Sequence, residues 1–443
     1  MNIKITAFSG LFLFLVIFIL PKEAASKVYI DLAAPAAKKL PIAIQDFKYL
    51  GDAASAKDPV AVKVQGELLD SIRSDIRFSN LFSIIEREAF LEDPAASGIT
   101  EGEIDFRNWR SIGADTLIKG GFLIEKDKLT VEIRFFDAIT EKQVVGKRYV
   151  GSINNPRRVM HFFADELYQE LTGKKGIFAT RIMFVSDKEG NKEVYISDYD
   201  GKNALKITRN RSINLSPQWS PDGKKILYVS YKKGWPSLYM LDLTNGKDTV
   251  VSAKPGINIG GRFSPDGGRV ALTMSGEKSP ELYLLDLNTG EYKKLTDNRG
   301  IDVSPSWSPD STKLAFVSDT AGNPHIFVLD LTTGDIKRLT FNGKYNSSPA
   351  WSPDGKQIAF ARSDSGKFNI WVMQADGSSM SQLTFENSDR NPSWSPDGRH
   401  IIFSSTARGA SSLYIMRSDG TGHMKINTGI GNEKSPVWSP YQQ

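Results

Sequence analysis

Five aspartates recur along the second half of this chain at near-constant spacing: Asp222, Asp266, Asp310, Asp354 and Asp397. A periodic carboxylate array could hold a cation or move protons in acid–base chemistry. Each of the five, however, sits in the same short string, Ser-Pro-Asp-Gly, with Ser311 in place of the glycine in one copy. That string is a tight turn: Pro presets φ, Asp bonds nearby backbone, and Gly takes the positive φ. The sequence therefore assigns these aspartates to turns and expects a slightly different turn at Ser311. A second set is more open. Five residues before each motif aromatic stand Asn214, Asn258, Asp302, Asn346, Asp389 and Glu433. All six are polar, and repeat symmetry places them around one mouth of a channel, where they could bind a partner. The same residue types also favour turns. Asp302, Asp389 and Glu433 could attract a hard cation such as calcium, although no fixed loop spacing supports one. No other cofactor is expected.

Other chemistries are excluded more directly. No Gly-x-Ser-x-Gly elbow occurs, so a serine hydrolase has no nucleophile. His161, His325, His400 and His423 form neither an i,i+4 pair nor a close cluster, which leaves no histidine metal site in view. The absence of cysteine removes disulfides, thiolate-bound zinc and thiol catalysis together. No glycine-rich phosphate loop follows the first strand, at Gln45–Tyr49. A net charge of +5 with no long run of Lys or Arg argues against a nucleic-acid arm.

The elements that position these residues are set by a repeat. Trp-Ser-Pro-Asp-Gly appears at 219–223 and returns from Phe263, Trp307, Trp351 and Trp394. A truncated copy at Trp438–Tyr441 closes the series, with spacings of 44, 44, 44, 43 and 44 residues. A period of this length marks a stacked or ringed repeat. Each copy is followed by short apolar runs between Gly, Asp and Asn turns, as in Ile226–Ser230 and Leu238-Tyr239, which suits the four strands of a propeller blade. The last copy has no strands after it, whereas Arg181–Thr208 has strands and no copy before them. The chain is thus expected to close as a ring, its C-terminal strand completing the first blade and hiding the sheet edges. The motif aromatic supplies a plate of ~150–250 Å² between neighbouring blades.

Ahead of the repeats lies a different composition. Lys4, the apolar run to Leu20, Pro21 and the small residues Ala24-Ala25-Ser26 form a secretory signal pattern, so residues 1–26 are expected to be removed on export. Residues 27–175 read as a β-α-β-α-β-β-β-α domain. Its strands are expected at Leu40–Phe47, Phe82–Ile85, Thr116–Ile124, Leu129–Phe136 and Gln143–Val150. Its helices are expected from Pro59, with Val60, Val64, Leu68, Ile72 and Ile76 on one stripe, at Glu103–Ile112, and at Pro156–Leu171. The fold class is therefore an α/β N-terminal domain followed, over residues 176–443, by an all-β six-bladed β-propeller.

With that order in view the chain resembles the TolB family, the periplasmic propeller component of the Tol–Pal system. The resemblance rests on the signal pattern and on Val28–Asp31 followed by Leu40–Phe47. It rests also on Leu171-Thr172-Gly173 leading through Thr180-Arg181-Ile182 into the first blade, on Ser197-Asp198-Tyr199-Asp200-Gly201, and on the terminal Ser435–Tyr441. It implies a non-enzymatic adaptor in the periplasm that supports outer-membrane integrity and envelope constriction at division. Two contacts follow from it. Lys27, Val28, Tyr29, Ile30, Asp31 and Leu32, at the mature N-terminus, would bind TolA of the inner membrane. The channel mouth would bind the lipoprotein Pal, with other outer-membrane lipoproteins as further partners. A propeller enzyme, hydrolase or lyase, and a carbohydrate-binding propeller are the alternatives from other classes. One departure stands out: the second repeat has Gly261-Arg262 before its aromatic, where proline usually stands two residues before it.

Overall fold

The computed structural model describes residues 39–442 apart from Ala95 and Glu277, so the signal pattern and the segment Lys27–Leu32 lie outside the described residues. The N-terminal domain is built from β1 (Leu40–Ile44), β2 (Lys48–Tyr49), α1 (Pro59–Ser79), β3 (Phe82–Ile84), α2 (Phe106–Ser111), β4 (Thr116–Glu125), β5 (Lys128–Asp137), β6 (Lys142–Ser152) and α3 (Pro156–Thr172). Its sheet runs β3-β1-β4-β5-β6, with β2 paired to β4; β1 is parallel to both neighbours and β4-β5-β6 form an antiparallel meander.

Local chemistry sets the helix ends. Asp58 caps α1 by accepting from the Val60 amide at 2.7 Å, with Pro59 at a position where its missing N–H is no loss. Gly173 ends α3 in the left-handed conformation, φ 68°. The apolar stripe of α1 is buried at Val64, Leu68, Ile72 and Ile76, but Val60 is 48% exposed: it lies in the first turn, beyond the reach of the sheet. The helix expected from Glu103 starts at Phe106, because Thr100 and Glu103 form a reciprocal capping box around a separate 3-10 turn. α1 and α3 cover one face of the sheet, while Trp109 and Phe106 of α2 pack with Leu117 and Phe136 in a second, smaller core. No helix among the described residues is long and apolar enough to cross a membrane.

Six four-stranded antiparallel sheets follow, and they are the six blades. In five the innermost strand comes first in sequence, as Asn214–Trp219 does before Lys225–Ser230. The sixth is closed by the C-terminus: Glu433–Trp438 lies antiparallel to Arg181–Ser186, with Glu433 opposite Ser186 and Trp438 opposite Ile182. The indoles tie the ring around the channel. Trp219, Trp307 and Trp394 donate to the carbonyls of Val437, Arg262 and Ala350 on neighbouring innermost strands, at 3.3, 3.1 and 2.9 Å. Trp438 instead donates to Thr180 Oγ1 at 2.8 Å, joining the closing strand to the segment that enters the propeller.

The recurrent aspartates are turn residues. Asp222 accepts from Ser220 Oγ at 2.5 Å and from the Lys224 amide at 3.0 Å, and Asp310 accepts in the same way from Ser308 and Thr312. The different turn expected at Ser311 is not found. Ser311 adopts φ 63°, close to the 68° of Gly223, and its amide reaches the Ser308 carbonyl at 3.0 Å as Gly223 reaches Ser220 at 2.9 Å. The surrounding bonds impose the left-handed conformation on a residue that disfavours it.

The two domains share one hydrophobic core, in which Ile72, Ile76 and Phe163 of the helices join Phe184, Tyr195, Ile402 and Trp438 of the blades. Phe78 stacks near His400, Tyr168 accepts from Arg399, Arg157 pairs with Asp200, and Lys175 lies over the Tyr441 ring at 4.3 Å. These contacts fall at the end of the propeller where the Ser-Pro-Asp-Gly turns are.

Candidate functional site

The innermost strands run from the polar positions at one end to the motif aromatics at the other, so Asn214, Asn258, Asp302, Asn346, Asp389 and Glu433 lie at the end opposite the N-terminal domain. Their side chains do not face solvent: all six are at most 4% exposed. Most hold the loops that enter the strands. Asn214 Nδ2 donates to Glu193 Oε2 at 2.9 Å and to the Lys192 carbonyl at 3.0 Å. Asn258 accepts from Ser252 Oγ at 2.6 Å and donates to the Lys254 carbonyl at 2.7 Å. Asp302 accepts from Asn298 Nδ2 at 2.7 Å, and Asn346 donates to the Asn342 carbonyl at 3.0 Å. Glu433 accepts from Thr428 Oγ1 at 2.5 Å and from the Gly431 amide at 2.9 Å. Among the described residues, one oxygen each of Asp302, Asn346 and Asp389 finds no hydrogen-bond partner. Asp302, Asp389 and Glu433 do not converge within one ion's reach; among the described residues only His161, Asp198 and Asp200 do so. That trio is occupied by Arg157, which is paired with both aspartates.

Two residues further along each innermost strand, a bulge interrupts the pairing. Ser216, Gly260, Ser304, Ser348, Asn391 and Ser435 all take positive φ, between 48° and 68°. A bulge bends its strand and re-aims its side chains, and here the six positions line the central channel. This cavity of about 310 Å³ is lined by small polar groups, including Ser306 and Ser393, and by prolines and Trp351, Trp394 and Trp438; among the described residues its one charged lining residue is Arg262.

What the mouth does present to solvent is an apolar rim. Ile213, Ile301 and Tyr345, each one residue before a polar position, are 44–46% exposed. Phe341 and Phe385, in the loops that lead into the next blade, are 69% and 68% exposed, and Trp235, at the tip of a hairpin on the same end, is 64% exposed. Between them stand exposed Arg209, Arg211, Lys233, Lys254, Arg299 and Lys344. Acids in the same loops are largely paired: Glu189 with Lys206, Asp297 with Lys294, Asp364 with Arg362. Apolar anchors among basic groups are the composition of a protein-docking surface. Sequence reasoning selected the polar positions and passed over this rim. The signal was there, in large apolar side chains inside loops otherwise rich in Asn and Gly.

A second polar constellation was also missed. At the domain junction His161 Nδ1 donates to Asp75 at 2.8 Å, and the Tyr199 hydroxyl donates to the same carboxylate at 2.8 Å. Asp75 is fully buried and His161 only 2% exposed. Burial opposes charge on His161, but the Asp75 carboxylate, with help from Asp198 and Asp200, outweighs it and raises the imidazole above its ordinary value. Burial also raises Asp75. The void beside Asp75 is only about 10 Å³, too small for a substrate, so the cluster is a structural tie between α1, α3 and the first blade.

Two family models match the chain: "TolB amino-terminal domain" over residues 28–144 and "TolB beta propeller domain" over residues 168–442. The Tol-Pal system protein TolB of Desulfosudis oleivorans is 40% identical over 196 residues, 44% of each chain. That of Geobacter sulfurreducens is 39% identical over 222 residues, 49% of each chain. The chain thus spans a little under half the length of the curated relatives it matches. The crystal structure of TolB from Acinetobacter baumannii superposes with a TM-score of 0.76 at 28% identity, covering 93% of this chain and 100% of that one. Both domains, in this order and with this ring closure, place the chain in the TolB family.

Proposed function

We propose that this chain is a non-enzymatic periplasmic adaptor of the Tol–Pal system that docks Pal on the free mouth of its propeller and TolA through Lys27–Leu32. The observation that supports the docking site is the apolar rim of Ile213, Trp235, Ile301, Phe341, Tyr345 and Phe385, at the end of the channel remote from the N-terminal domain. Side chains of this size left in water favour association, and exposed aromatic residues are the usual anchors of an interface. The buried polar ring then acts indirectly, by fixing the loops that carry the rim. No cofactor enters this reading. Through these two contacts the chain would link the two membranes, supporting outer-membrane integrity and envelope constriction at division.

The test is capture of purified Pal by the exported chain carrying Trp235→Ser, Phe341→Ser and Phe385→Ser together. These side chains are more than 60% exposed, so the fold should be unaffected. Loss of roughly 4 kcal/mol of binding, on the order of 1000-fold in Kd, is expected from three aromatic anchors. Capture equal to that of the unaltered chain would place the Pal contact elsewhere.

A further inference from the structure

Arg262 is the odd residue of the channel. Its counterparts one residue before each aromatic are Gln218, Ser306, Ala350, Ser393 and Val437, all uncharged. It lines a channel shared with serine hydroxyls and the Asn391 amide, and with prolines and the rings of Trp351, Trp394 and Trp438. Among the described residues no carboxylate pairs with it; its one side-chain bond is a long 3.5 Å donation to the carbonyl of Gly261 beside it. A guanidinium carries five donors in a planar fork that matches an oxyanion. Here nearly all of that capacity is unused. Arg262 is partly rather than fully buried, and desolvation lowers the group to about 10, so it keeps its charge at neutral pH. The exposed basic residues of the rim favour anions at the mouth, opposed by the buried carboxylates Asp302, Asp389 and Glu433 at the same end, so the charge that faces the channel itself comes from Arg262.

We propose that the propeller channel is an oxyanion-binding site, in which Arg262 supplies the charge and the bulge serines, Ser216, Ser304, Ser348 and Ser435, supply hydroxyl donors. A free phosphate and a carboxylate carried by a docked segment share this chemistry. The site does not depend on which partner occupies the rim, so it stands apart from the assignment of Pal.

The experiment is calorimetric titration of the intact exported chain with inorganic phosphate and, separately, with acetate, at constant ionic strength in chloride. The wild-type chain is expected to bind one equivalent of at least one of the two saturably. Arg262→Gln is expected to weaken that binding by tenfold or more, and Arg262→Lys to retain part of it. Saturation by phosphate alone identifies a phosphate-type ligand; saturation by acetate alone identifies a carboxylate. Circular dichroism of the Gln variant guards against misfolding, and without anion its thermal midpoint should equal or exceed that of the wild type, since an unpaired charge has been removed. Absence of saturable binding of either ion to the wild-type chain, or equal binding by the Gln variant, overturns the proposal.

Discussion

Asp75→Ala is expected to destabilise the folded chain by roughly 3–5 kcal/mol, the range found when one partner of a buried ion pair is removed. Asp75 accepts from His161 and from Tyr199, so its loss strands an imidazole and a phenol in a core that spans both domains. Urea unfolding would measure the loss. The charge-neutral Asp75→Asn separates the electrostatic part through pH. His161 is raised above its ordinary 6.5 in the folded chain, so above that pH the folded state holds a proton that the unfolded state has released. The stabilisation from this pair is therefore complete below about 6.5 and is lost as pH rises through the folded value. Asp75, itself raised, acts in the same direction at lower pH. His325 and His400 are lowered by burial and destabilise the chain only as pH falls below the same point, outside this window. Wild-type stability should accordingly decline from about pH 6.5 upward, and the decline should be absent in Asp75→Asn. An identical slope in both proteins would show that Asp75 does not hold the proton on His161.

Trp438→Ala should cost about 3–5 kcal/mol, as for other buried aromatic truncations. Trp438 is 5% exposed, closes the ring against Ile182, and satisfies Thr180. Removing everything from Glu433 onward should be worse: it bares the edge of Arg181–Ser186 and opens the ring, so loss of cooperative unfolding and aggregation are expected, visible by light scattering. Trp351→Ala provides the contrast. Its indole N–H has no partner among the described residues and its ring is only partly buried, so the same substitution there should cost appreciably less. Equal losses at the two positions would mean that closure carries no special share of the stability.

The architecture was legible because it is written as a repeat: a motif recurring every 43–44 residues, with its last copy lacking strands and its first blade lacking a copy. Side-chain direction was less legible. Asn214 and its five counterparts are expected around one mouth of the channel and do lie together at one end of the innermost strands, but their burial depends on loops that fold back over them, which spacing does not reveal. Ile213 and Tyr345, one position earlier, point outward for the same reason. The Asp75–His161–Tyr199 tie joins residues 86 and 124 apart in sequence, across two domains, where no periodicity connects them. Arg262 was visible as a departure from the repeat, yet only the assembled ring shows that it stands alone in the channel. Ser311 illustrates the opposite limit: the local preference against positive φ was real, and the turn's hydrogen bonds overrode it.

The central claim is that the free mouth, and not the junction end, is the docking face. Hydrogen–deuterium exchange of the chain with and without purified Pal tests it most directly. Protection is expected in the loops that carry the rim, around 209–213, 231–236, 297–301, 341–345 and 385–388, with little change in the Ser-Pro-Asp-Gly turns. Protection confined to those turns or to the N-terminal domain, with the mouth loops unchanged, would contradict it.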